Sequence, residues 1–176
     1  MNAITVDKVR TFVPMFGAWL KTGWVYLAAF AGGLLIFSHF FTFAVNASDS
    51  LPQRAFLVMK YDKALKPGDY VAFTWKGTMP YPKGLNFVKR VGGVGGQFVE
   101  ERNREFFVDG VSMGVAKTHG SRGNMMGVPL ETGRVGVIPT GSVYANADHK
   151  DSLDSRYALM GWISNEVILG RAVPLF

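Results

Sequence analysis

The residues of this chain that can do chemistry are a lysine among apolar neighbours, a serine just past a long apolar stretch, and a loop dense in Asp, Ser and Arg. The lysine is Lys89, in Leu85-Asn86-Phe87-Val88-Lys89-Arg90-Val91-Gly92-Gly93. An exposed lysine has a pKa near 10.4, so only about one molecule in a thousand is neutral near pH 7.4. Phe and Val walls penalise the ammonium. Lowering its pKa to roughly 7.4 costs about 4 kcal/mol of ion stabilisation and leaves an amine able to take up a proton. The other reading is a strand lysine that points to solvent, as Arg90 would.

The serine is Ser50, in Ser48-Asp49-Ser50-Leu51-Pro52. Its hydroxyl can act as a nucleophile if a base removes its proton. Asn, Ser and Asp after a helix are also ordinary capping and turn residues. His39, His119 and His149 are far apart in the sequence, and none stands out as that base. The loop Ala147-Asp148-His149-Lys150-Asp151-Ser152-Leu153-Asp154-Ser155-Arg156-Tyr157 has two readings. It is a solvated loop, or it supports the site, with a hydroxyl holding the lysine amine and an Asp–Arg pair bracing the turn.

Several classes of chemistry are disfavoured at once. The chain has no cysteine, which removes disulfides, thiol nucleophiles and thiolate metal sites. Three dispersed histidines do not make a zinc site, so neither metal nor cofactor is expected. The net charge is +6, with 19 basic and 13 acidic residues. No run of five Lys/Arg and no basic helical stripe accompanies that charge, so nucleic acid is not an expected partner. An anionic membrane surface is the better-supported one.

The elements that must position these residues fall into three segments. Residues 24–45, WVYLAAFAGGLLIFSHFFTFAV, carry no Lys, Arg, Asp or Glu. About 20 apolar residues cross a bilayer core of roughly 30 Å, and Trp24 and Tyr26 suit its interface. Val45-Asn46-Ala47 resembles a small-residue cleavage site, but the apolar run is longer than a signal peptide's, so we read a retained transmembrane helix. Residues 1–23 precede it. There Val9, Phe12, Val13, Phe16 and Leu20 share one helical face, as in an amphipathic segment on a membrane surface. In residues 46–176, β-rich runs at 55–59, 70–75, 86–91, 97–101, 106–108, 136–138, 142–145 and 167–173 are separated by turn signals, including an Asp109-Gly110 hairpin turn. A short helix is placed near 155–165. Gly92-Gly93-Val94-Gly95-Gly96 reads as a tight turn between strands, because it lacks phosphate-loop spacing. The aromatic run Trp75-Lys76-Gly77-Thr78-Met79-Pro80-Tyr81-Pro82 either dips into the lipid surface or closes a β turn. The fold class is mostly β: one antiparallel domain behind one N-terminal transmembrane helix.

Taken in order, these segments resemble the conserved boxes of type I signal peptidases. The boxes are Ser50-Leu51-Pro52, Gly68-Asp69-Tyr70-Val71-Ala72-Phe73, Phe87-Val88-Lys89-Arg90-Val91-Gly92-Gly93, and Ser152-Leu153-Asp154-Ser155-Arg156-Tyr157 with Gly161. Ile168-Leu169-Gly170-Arg171-Ala172 is similar to the family's closing strand. The Ser-Leu-Pro form and the small size are closer to the conjugative-transfer branch, the TraF-type pilin-processing peptidases. There are departures: Leu51 replaces the usual Met, and residues 147–151 are one residue shorter than the housekeeping enzymes' polar run. Only about 39 positions separate Ser50 from Lys89, so little accessory domain fits between them.

The resemblance implies a serine–lysine dyad on a signal-peptidase β fold, with Ser50 as nucleophile and Lys89 as general base. Ser152 matches the serine that holds the lysine amine, and Asp154 and Arg156 match the bracing pair. Ser48 matches the residue whose hydroxyl joins the Ser50 N–H in the oxyanion hole. Phe87 and Val88 are candidates for lining a groove that takes an extended peptide with small residues before the cut. The implied partner is a membrane-inserted precursor, a propilin or preprotein. The implied location is the inner membrane, single-pass, with the amphipathic segment 1–23 on the cytoplasmic side and the peptidase domain on the periplasmic side. Pilin cyclisation through the same acyl-enzyme, or a non-catalytic assembly scaffold that keeps the fold, remain alternatives. Ser50 stands five residues past the expected span, within about 18 Å of its end.

Overall fold

The computed structural model describes residues 23–46, 50–77, 79–121 and 123–175. Ser48 and nearly all of the expected amphipathic segment at 1–23 lie outside the described residues. The chain divides into two compact units, one ending at Phe40 and the other running Phe41–Phe176.

The described part of the first unit is one helix, α1 (Gly23–Phe40), long and apolar enough to cross a membrane. At 1.5 Å per residue it spans about 27 Å. Its Trp24, Leu27, Phe30, Leu35 and Ile36 side chains are exposed.

The sequence reading carries that helix on to Val45, and here the structure corrects it. Residues Phe41–Val45 form strand β1. All five pair with β2 (Ala55–Lys60), from Phe41 opposite Met59 to Val45 opposite Ala55. A short apolar run suits a helix end or a strand equally by periodicity, and the available partner decides. Ser50 therefore follows the helix by ten residues rather than five.

The remaining strands are β3 (Tyr70–Thr74), β4 (Asn86–Val94), β5 (Phe98–Arg102), β6 (Glu105–Val108), β7 (Val111–Val115), β8 (Gly136–Val137), β9 (Ser142–Asn146), β10 (Ile163–Ser164) and β11 (Ile168–Pro174). Among the described residues they make two antiparallel sheets, ordered β1-β2-β11-β3-β4-β9-β10 and β7-β6-β5-β8. This is the mostly β fold expected.

Two local expectations fail. No helix occupies residues 155–165: turns lead into β10, whose Ile163 pairs with Val143 of β9. The glycine run is not all turn either. Gly92 and Gly93 lie inside β4, where a bulge shifts its register against β9, and the turn falls at Gly95-Gly96. A Cβ on Gly93 would come within 2.7 Å of Val108 and 3.0 Å of Ile138, so the bare backbone is what lets the smaller sheet pack against β4. Asp109 and Gly110 both take positive φ, at 47° and 80°, as a two-residue hairpin between β6 and β7 requires.

β3 and β4 are covered on both faces. Val71, Phe73 and Val91 pack with Val143, Ala145, Ile163 and Ile168 on one side. Ala72 packs with Leu51, Phe56, Val58 and Ala172 on the other. A third cluster joins Val99, Phe106 and Val108 to Ile138, Tyr144 and Tyr157. In the aromatic run after β3, Trp75 is buried, its Nε1–H donates to Tyr81 O at 3.1 Å and the Trp75 and Tyr81 rings both meet Phe87, while Met79 and Tyr81 stay exposed.

Candidate active site

Lys89 sits in the middle of β4, directly opposite Val71 of β3. Strand alternation places its side chain on the same face as Phe87 and Val91. It is only 5% exposed. Its Nζ donates to Ser152 Oγ at 2.5 Å. Burial is the main force on its titration, pulling the pKa from 10.5 to about 8; Asp154 opposes that shift and Arg156 adds to it. The solvent-facing reading of Lys89 is therefore wrong, because its alternation points inward.

Asp154 and Arg156, 0% and 3% exposed, form a bidentate pair: Nε to Oδ1 at 2.8 Å and Nη2 to Oδ2 at 2.7 Å. Asp154 also accepts the backbone N–H groups of Ala147 and Arg156, and Arg156 Nη1 donates to Val115 O. Ser155, which the sequence reading left without a role, ties the turn to β9. Its hydroxyl donates to Gly161 O at 2.6 Å and accepts Ala145 N–H at 2.9 Å. Together these bonds hold the loop that presents Ser152. The solvated-loop reading fails for residues 152–156, which are buried apart from the partly buried Leu153.

Ser50 is 8% exposed, and its neighbour Leu51 is sunk in the cluster with Phe56 and Ala172. The Ser50 carbonyl accepts His149 N–H at 3.4 Å, which joins the serine turn to the loop of Ser152. Ser50, Lys89 and Ser152 line one cavity of about 740 Å³, as do Phe87 and Val88. Asp154 and Arg156 stand behind it and do not line it.

The far wall of the cavity was not anticipated. It comes from the excursion between β7 and β8, residues 116–135. Lys117 Nζ and Ser121 Oγ on that excursion both bond Asp151, the residue before Ser152. The Arg104 guanidinium donates to the carbonyls of Ala116, Lys117 and Leu130, closing the base of the excursion. Each of these contacts joins residues distant in sequence, so no local pattern announces them.

β4 also has an incomplete edge. Its pairing with β9 begins at Arg90, opposite Asn146. Residues 86–89 have β3 on one side and no strand among the described residues on the other, where the cavity lies.

On this β fold a buried amine, a hydroxyl and an open strand edge share one cavity, an arrangement that can receive an extended peptide beside a nucleophile and a base. The family model of signal peptidase, peptidase S26, matches residues 17–176, and the chain belongs to that family. No curated protein matches it.

Proposed function

We propose that this chain is a membrane-anchored serine endopeptidase that removes the leader segment of a membrane-inserted precursor, with Ser50 as nucleophile and Lys89 as base. The observation that carries the reading is the Lys89 amine, out of water, bonded to Ser152 and lining one cavity with Ser50. With a pKa of about 8, roughly a fifth of the molecules hold it neutral at pH 7.4.

The neutral amine takes the Ser50 proton as Oγ attacks the scissile carbonyl carbon. The Ser50 N–H and the Ser48 hydroxyl receive the developing oxyanion, where one donor is typically worth 10²–10³ in rate. As the C–N bond breaks, the ammonium returns its proton to the leaving amine. Water, deprotonated by the same amine, then releases the acyl group and restores Ser50. Ser152 orients the amine throughout, and Asp154 and Arg156 brace the loop that carries it.

The unpaired edge of β4 at residues 86–89 suits a precursor segment added as one more strand, with Phe87 and Val88 beside it. α1 serves as a single-pass anchor in the inner membrane with the β domain on the periplasmic side, and ten residues of chain limit Ser50 to about 35 Å from its end. The substrate we assign is a conjugative propilin, on the Ser50-Leu51-Pro52 form and the compact insert before Lys89.

The test is co-expression of the full chain with candidate propilins. Wild type should yield the shortened product and Ser50→Ala should accumulate precursor; equal processing by both defeats the proposal.

A further inference from the structure

The turn that carries Ser50 is held from inside by one side chain, Asn46, which in sequence is only the middle of a cleavage-like triplet. Asn46 is the first residue after β1, and its backbone N–H donates to Arg54 O at 2.8 Å, carrying the β1–β2 ladder one step further. Its carboxamide then reaches across the turn. Nδ2 donates to Leu51 O at 3.0 Å and to Gln53 O at 3.2 Å, while Oδ1 lies 3.5 Å from the Ser50 hydroxyl that donates to it. Asn46 also lines the cavity.

The turn's far end is tied to β4. Gln53 Oε1 accepts from Tyr70 OH at 3.1 Å, and that hydroxyl accepts from Arg90 Nη2 at 3.1 Å. Tyr70 and Arg90 are cross-strand partners, and Arg90 adjoins Lys89. A run of side-chain and backbone hydrogen bonds therefore leads from Asn46 through Gln53 and Tyr70 to the strand that holds the amine.

We propose that Asn46 is the positioning residue for the nucleophile: its Nδ2 fixes the Leu51 and Gln53 carbonyls and with them the place of Ser50 Oγ, and its Oδ1 holds the resting hydroxyl, whose one proton turns from Oδ1 to the Lys89 amine at attack. The proposal rests on Ser50 being the nucleophile. Two carbonyls and one hydroxyl converge on one carboxamide, which offers both a donor pair and an acceptor; a carboxylate or a methyl group in its place does not supply both. A displacement of about 1 Å at an attacking atom costs up to roughly 100-fold in rate, while substrate contacts along β4 stay as they were. The effect belongs in kcat rather than KM.

The experiment uses the full chain in detergent and quenched-fluorescent peptides with small residues before the cut. Asn46→Ala should lower kcat roughly 10- to 100-fold with KM within about threefold of wild type. Asn46→Asp keeps Oδ1, loses the donors and puts a carboxylate on the cavity wall. That charge favours the ammonium form of Lys89, so the rise of kcat with pH should move to higher pH. Lys117, His119, His149 and Asp151 on the wall, with Asp154 and Arg156 behind, are common to all variants, so the displacement reports the new carboxylate. Wild-type kcat in Asn46→Ala overturns the proposal. So does a loss of rate that follows only the folded fraction in thermal melts, with an unmoved pH profile in Asn46→Asp. Cleavage by Ser50→Ala instead strikes the proposed function itself.

Discussion

Lys89 and Arg156 are both cations withdrawn from water, at 5% and 3% exposure, and they differ in what meets them. Arg156 has a carboxylate on two nitrogens and a carbonyl on a third. That pairing outweighs burial and raises its pKa. Lys89 has the Ser152 hydroxyl, which cannot neutralise a charge, so burial prevails and its pKa falls. Asp154 is near enough to oppose that fall, yet Arg156 occupies both of its oxygens and pushes the other way. A compensated cation makes scaffold. An uncompensated one makes an amine that exchanges protons near neutral pH, the property that the proposed roles of Ser50 and Lys89 call on.

Substituting each cation separates these roles. Lys89→Met should reduce precursor cleavage by roughly 10³-fold or more, with a melting temperature equal to or above wild type, because it removes a desolvated amine. Cleavage that survives removes Lys89 from the chemistry. Arg156→Met leaves Asp154 charged and unpaired in the interior and should cost about 3–5 kcal/mol of stability in urea denaturation. Asp154→Asn together with Arg156→Met, which removes the buried charge but keeps an acceptor for the Ala147 N–H, should recover part of that loss.

The pH dependence sharpens the contrast. A folded-state pKa of about 8 against 10.5 means the unfolded chain binds more protons between those values, so stability rises with pH across that window. Wild type should gain about 3 kcal/mol relative to Lys89→Met from pH 8 to pH 10.5. The cleavage rate should climb through about pH 8, and a rate flat from pH 6 to 9 would contradict an amine base. The smallest effect is expected at Tyr144, whose buried hydroxyl has no hydrogen-bond partner among the described residues. Tyr144→Phe should be neutral or stabilising, within about 1 kcal/mol by thermal melt.

Most of the β-rich runs were legible because alternation and turn residues are local, but their order in the sheets, which brings β11 between β2 and β3, was not. Lys89 stood between a buried and a solvent-facing reading, and only the motif around it pointed inward. The Ser152 link was legible in the same way, through the motif that contains it. β1 was not legible: Phe-Thr-Phe-Ala-Val continues an apolar helix in sequence and becomes a strand only because β2 returns beside it. β10 was misread for a similar reason, since two residues become strand only by lying against β9. Asn46 stood in sequence as the middle of a small-residue cleavage-like triplet, and its side chain bonds carbonyls up to seven positions away. Arg104, Lys117 and Asp151 were invisible because their partners come from other strands and loops.

Arg104 has a consequence for the wall it supports. By gripping carbonyls on both arms of the excursion, at Ala116, Lys117 and Leu130, it anchors a stretch whose Ser121 reaches Asp151 beside Ser152. Exchanging residues there reshapes the opening and tugs on the hydroxyl that holds the amine, so the doorway and the latch behind it are mechanically joined.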